Sequence, residues 1–205
     1  MTTWIETPEG GRSRGAAGLA RAWVEVLVRP RRFFRNGVAP GDQAPGLAFA
    51  VAIALAYVVG ILAVDPTRIL GPDRIPVLGG SPTLTVVLVL LATGVALAPA
   101  GLHLLAALQT VLLMVTVNDR AGVSETVQVL AYAAAPCALA WVPVAGVAMV
   151  CALYSTVLLV VGLSVVHQTS PVRATAAAAI PAALAFWVGF GGLSSLRAVS
   201  ALVGA

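Results

Sequence analysis

"TLTVVLVLLATGVALAPAGLHLLAALQTVLLMVTV", Thr83 to Val117, runs for 35 residues without a charge, and its reading decides the fold. A straight α-helix of that length measures about 52 Å, whereas a bilayer's hydrocarbon core is about 30 Å thick and is crossed by about 20 helical residues. Either the chain folds back inside the membrane or one helix crosses and overhangs. Folding back would put a turn at "APAG", Ala98 to Gly101, where no polar side chain is present and turned backbone would stand unsatisfied in hydrocarbon. One helix bent at Pro99 is therefore expected, with Ala98 to Val117 crossing and the preceding apolar turns packed at the far interface.

Composition agrees with a membrane setting. The chain is 60% hydrophobic and 10% charged, with a mean hydropathy of +0.98, whereas soluble domains carry about 25% charged residues. Working outward, spans are expected at 44–64, 83–117, 124–142, 145–166 and 174–192, separated by the polar segments Asp65–Pro82, "NDRAG" and "HQTSPVR". All twelve basic residues are Arg, and seven precede residue 36. With five crossings and a cytoplasmic N-terminus, nine arginines lie inside and three outside, as the positive-inside rule asks; six crossings give eight and four. The fold expected is an all-α integral membrane protein of five transmembrane helices, preceded by a cytoplasmic amphipathic helix. It would sit in the cell membrane with an external C-terminus. Residues 1–18 are polar and read as disordered, 44–192 form the membrane domain, and 193–205 form a short external tail.

The expected amphipathic helix, 19–36, contains "WVEVLVRPRRFFRNG", Trp23 to Gly37. On a wheel of about 100° per residue, Leu19, Trp23, Val26, Leu27, Pro30, Phe33 and Phe34 share one side. Arg21, Glu25, Arg29, Arg31, Arg32 and Arg35 fill the other, with Val24 and Val28 intruding. Such a pattern fits a helix in the headgroup plane, kinked at Pro30, with its arginines toward anionic lipid. Trp23, Leu27, Arg29, Arg31, Arg32, Phe33, Phe34 and Arg35 are its expected membrane-interface residues. A nucleic-acid grip is disfavoured, because such binders carry a basic face on a folded domain.

"RPRRFF" before the first span, "AYAAAP" (Ala131–Pro136), "VPVAG" (Val142–Gly146), Tyr154, Gly162 and "HQTSPVRA" (His167–Ala174) together resemble prokaryotic members of the Yip domain family. The resemblance runs from about Trp23 to Gly192. It implies five helices, a cytoplasmic N-terminus and an outer C-terminus. Eukaryotic relatives bind Rab-type GTPases and carry an acidic, aromatic signature before the first span; Arg-rich "RPRRFFRNG" stands in that place here, so GTPase binding does not carry over.

Chemistry within the spans is sparse. His103, Gln109, Tyr132 and Tyr154 are the intramembrane polar candidates, His103 being expected to bond a neighbouring helix and Gln109 to lie about 120° round from it. Tyr132, Pro136, Tyr154 and Gly162 read as packing residues, beside a small-residue face of Ala131, Ala134 and Ala138. His167 is expected as a boundary cation at a helix C-terminus. Cys137 and Cys151, each seven residues from Val144, are expected as buried, reduced thiols at one depth. Phe186, Trp187 and Phe190 are expected as an aromatic belt. No metal set, cofactor motif or catalytic motif occurs, so no metal, cofactor or enzymatic activity is expected. The expected role is a non-enzymatic scaffold or adaptor whose partners are membrane lipids and a membrane or cytoplasmic protein, without nucleic acid and compatible with a homo-oligomer. The other function class is a small permease or channel in which kinks at Pro99, Pro136 and Pro181 line a path past His103.

Overall fold

The computed structural model describes residues 15–204; of the segment 1–18 expected to be disordered, residues 1–14 lie outside the described part, whereas Ala16 to Gly18 are helical. The fold is all-helical: α1 (Ala16–Val28), α2 (Pro30–Gly37), α3 (Ala44–Val64), α4 (Pro82–Ala92), α5 (Ala98–Thr116), α6 (Val123–Ala133), α7 (Val147–Val166), α8 (Pro171–Ala182) and α9 (Gly192–Val203). Four helical stretches are long and apolar enough to cross a membrane: Ala44–Val64, Pro82–Thr116, Val147–Val166 and Pro171–Gly189.

The expected third span, 124–142, is not one α-helix. Its α-helical part stops at Ala133, and Ala135–Leu139 continues as a 3₁₀ turn. Pro136 lacks the N–H that would continue the α ladder, and the tighter i→i+3 pattern takes over. This segment forms the centre of the bundle. Val127, Val129, Leu130, Ala131, Tyr132, Ala133, Ala135 and Cys137 are all buried, enclosed by α3, α5, α7 and the N-terminal helices. Two glycines of α3 set its path. A Cβ on Gly46 would lie 3.0 Å from Gln128 Cα, and one on Gly60 would lie 2.1 Å from the Trp141 ring. Residues 128–141 therefore run parallel to α3 over about 21 Å of its length.

Thr83–Val117 forms a single continuous helical stretch, Pro82–Thr116. The adjustment around Pro99 is a π turn at Thr93–Leu97, where the Ala98 N–H bonds back to the Thr93 carbonyl. A second π turn, Ala183–Gly189, follows Pro181. Both are local shifts of register that help a membrane helix carry a proline. The chain beyond 192, expected as a tail, is the helix α9, packed on α7.

Candidate functional site

The N-terminal segment departs most from expectation. It is two helices, not one, broken at Arg29 (φ −135°, ψ 57°), with Pro30 at the first position of α2, where its missing N–H costs nothing. The two faces separate as the wheel predicts, but the apolar one is covered by protein. Ala22, Val26 and Phe33 have no exposed surface and Phe34 has 1%, while Trp23 and Leu27 are half-buried against the same core. Arg29, Arg31, Arg32 and Arg35 are exposed.

Shape complementarity explains this burial. Phe33 meets Tyr132 edge-on at 4.9 Å, Tyr132 meets Phe49 at 5.1 Å, and Phe34 stands across Phe33 at 5.8 Å. Edge-to-face pairs of this spacing add about 0.5–1.5 kcal/mol to the area term. The Phe34 ring fills the space a side chain at Gly162 would need: a Cβ there would lie 3.0 Å from the ring and 2.7 Å from Val129. The α1–α2 junction lies by Tyr154 and Phe34 lies by Gly162, so α2 runs along α7 over about 12 Å instead of lying flat across the helix ends.

Three polar side chains fasten the pair, each to a backbone group near a helix break. The Trp23 indole N–H donates to the Ala135 carbonyl, 2.8 Å away, beside Pro136. The Tyr154 hydroxyl donates to the Leu27 carbonyl, at the end of α1. Gln128, fully buried, holds the Ala39 peptide at both ends: its Oε1 accepts from the Ala39 N–H at 3.0 Å and its Nε2 donates to the Ala39 carbonyl at 2.7 Å. Gln109 does the same work elsewhere. Its Nε2 donates to the Ala177 carbonyl at 2.8 Å, the acceptor that a residue other than Pro at 181 would have satisfied from its own N–H. Gln109 Oε1 is then left buried without a partner among the described residues.

The four intramembrane candidates therefore do not form one site. Tyr132 and Tyr154 join the docked pair, whereas Gln109 bonds to the middle of α8. His103 is exposed on α5 and its Nδ1–H donates to Pro99, four residues back on the same helix, not to a neighbouring one. His167 is also not the expected cation. It is 1% exposed, and its Nδ1 accepts from the Ala121 N–H at 3.1 Å. An amide N–H can only donate, so the ring proton sits on Nε2, facing Thr126 Oγ1 at 3.5 Å. Burial, joined by repulsion from Arg120, lowers its pKa to about 4. Desolvation outweighs the helix-end field at this position.

Cys137 and Cys151 are both free and buried, and Cys137 Sγ lies 3.3 Å from Ser155 Oγ. Phe186 is buried and Trp187 Nε1 donates to Thr156 Oγ1 at 3.3 Å, so the expected belt is largely interior packing. Among the described residues no cluster of three or more His, Cys, Asp or Glu is placed to hold a metal. Gln128, which anchors the linker after α2, was not singled out from the sequence; an uncharged amide about one turn into the third apolar run was the available signal.

The family model described as Yip1 domain matches residues 24–193, from α1 into the start of α9. The chain belongs to the Yip1 domain family. With its long apolar helices, it is an integral membrane protein of that family. No curated protein and no solved structure matches it.

Proposed function

We propose that this Yip1 domain protein is a non-enzymatic membrane scaffold whose N-terminal helix pair holds a row of arginines for anionic lipid headgroups. One observation carries the reading. Docking buries the aromatic side of α1 and α2 in the bundle, so Arg29, Arg31 and Arg35 are exposed on a fixed support and not on a mobile arm. Preorganisation of this kind lowers the ordering cost of binding. Arginine stems are long enough to carry their guanidinium groups toward the headgroup plane while their methylenes stay against apolar surface. Each such arginine near an anionic leaflet contributes about 1 kcal/mol.

Five crossings follow if the buried segment 123–142 is counted with the four long helices, since its eleven α-helical residues and five 3₁₀ residues rise about 26 Å. That count puts the arginine-rich N-terminus on the cytoplasmic side of the cell membrane and the C-terminus outside. The permease alternative gains no support, because His103 points away from the cavity described below.

Spin-labelled lipids test the proposal on the full chain in vesicles. Phosphatidylglycerol should be motionally restricted by the protein in preference to phosphatidylcholine. Raised salt should weaken the preference, as should Arg29→Gln, Arg31→Gln and Arg35→Gln together. Equal restriction of both lipids by the wild-type protein would refute it.

A further inference from the structure

At the opposite end of the bundle from the N-terminal linker lies a half-open cavity of about 390 Å³. Its lining includes Tyr57 of α3, Thr93 and Gly101 of the long helix, Ala134 beside the 3₁₀ turn, and Phe186 and Phe190 after Pro181. Both π turns, Thr93–Leu97 and Ala183–Gly189, contribute walls. π turns inside α-helices occur often at functional sites. The volume falls in the range of about 300–1,000 Å³ typical of ligand pockets. A cavity of about 150 Å³ already takes benzene, so this one holds a considerably longer hydrocarbon.

The walls admit little but hydrocarbon. The Thr93 hydroxyl is committed to the Val89 carbonyl at 2.8 Å. The Tyr57 hydroxyl has no hydrogen-bond partner among the described residues, and its ring rests edge-on against Phe190 at 5.1 Å. The cavity opens sideways. α8 packs on α5, whereas the π turn that continues it packs mainly on α7 and α9, and the lining residues Leu97 and Leu184 are exposed at the rim. In a membrane protein this rim faces acyl chains. Charge is present on the same side, because Arg68 ends the 3₁₀ turn Pro66–Arg68 that directly follows α3 and packs against it, at the end of α3 nearer Tyr57. The Arg74 guanidinium donates to the Arg68 carbonyl and so belongs to the same loop. Of the loop's acids, Asp65 accepts from both the N–H and the hydroxyl of Thr67, at 3.2 and 2.5 Å, while Asp73 is exposed.

We infer that this cavity holds one acyl chain of an anionic membrane phospholipid, with Tyr57 and Arg68 facing its headgroup end. An acyl chain fills an apolar cavity that opens laterally, and a phosphate complements the guanidinium at its loop end. A neutral apolar molecule would leave Arg68 and the Tyr57 hydroxyl without a role.

Gly101 allows a clean test, because a side chain built there meets nothing within 4 Å. The full chain, equilibrated in nanodiscs of phosphatidylcholine and phosphatidylglycerol and then stripped of bulk lipid by detergent, is weighed by native mass spectrometry. The wild-type protein retains a single phospholipid, enriched about five-fold in phosphatidylglycerol over the supplied ratio. Gly101→Phe loses the lipid, and Gly101→Leu, with a smaller side chain, shifts retention the same way. Ala107→Phe, on the exposed face of the same helix, keeps it. Arg68→Gln keeps the lipid but loses the enrichment. No retained lipid in the wild type, undiminished retention in both Gly101 variants, no enrichment in the wild type, or retention of a neutral molecule instead would each overturn the assignment. The arginines of α2 are unchanged throughout, so failure here leaves the scaffold proposal standing.

Discussion

The two ends of the bundle solve the same problem differently. Each contains helices interrupted near prolines, and each must satisfy the backbone groups so released where no water is available. At the N-terminal side the donors come from other helices: Trp23 to Ala135, Tyr154 to Leu27, Gln128 to Ala39. Those bonds tie separate elements together, and the aromatic contacts of Phe33, Phe34 and Tyr132 close the seam. At the cavity side only one donor is borrowed, Gln109 of α5 to Ala177 of α8, and the rest of the adjustment is made within the interrupted helices by π turns beside Pro99 and Pro181, which leave the walls apart. Borrowed donors give a closed joint, whereas internal rearrangement leaves an opening.

The largest effect should come from emptying the closed joint. Phe33→Ala or Phe34→Ala removes a buried ring and should cost about 3–5 kcal/mol of stability, measured by reversible unfolding in detergent. An equal truncation at half-buried Phe190, on the cavity wall, should cost clearly less. A loss at Phe190 as large as at Phe33 would erase the distinction between the two ends.

Acid should act next, through His167. Its pKa is lowered on folding, so its contribution is complete above the unfolded value of about 6.5, declines as pH falls from there, and levels off near pH 4. Over that window the loss is about 3 kcal/mol, at 1.36 kcal/mol per unit. In His167→Gln this part of the acid sensitivity should be gone; an unchanged stability profile between pH 7 and 4 in that variant would assign the sensitivity to other groups.

A smaller effect tests the borrowed donor. Gln109→Leu should cost on the order of 1 kcal/mol, since hydrogen bonds between membrane helices average about 0.6 kcal/mol and reach about 1.7. In a Pro181→Ala background the cost should shrink, because an alanine at that position brings its own N–H to the Ala177 carbonyl. Additive losses in the double variant would show that Gln109 does not stand in for the missing proline donor.

The smallest change should have the opposite sign. Gly101→Ala puts a methyl group into open space on a helix and should be neutral or stabilising by about 0.5–1 kcal/mol. Destabilisation, read in the same unfolding assay, would mean the cavity is closed in solution.

Much of this was legible in the sequence, and the limits have physical reasons. Uncharged runs of about 20 residues identify membrane helices because charges are excluded from hydrocarbon, and the four long helices match the expected spans to within three residues at each end. The division of residues 19–36 into an apolar and an Arg face was equally plain. What covers the apolar face was not, because Phe33 and Phe34 look the same against lipid as against Gly162 and Tyr132. That choice is made by residues 98 or more positions away. His167 misled for a related reason: its place at a helix end is local, while the burial that keeps it neutral comes from the loop around Ala121. The π turns had no signal beyond nearby proline. Gln128 could have been found by asking what an amide inside an apolar run bonds to.

Hydrogen exchange of the intact protein in nanodiscs tests most directly whether the N-terminal pair is a fixed part of the bundle. Slow exchange is expected for the amides of α1, α2 and Ala39. Gln128→Leu, which unpairs the Ala39 N–H and carbonyl, should speed exchange of residues 30–39 at least about ten-fold, corresponding to the ~1.4 kcal/mol within the usual cost of an orphaned buried group, while leaving α8 unchanged. Fast exchange across residues 16–39 in the wild-type protein, at the rate of an undocked helix on a lipid surface, would contradict it.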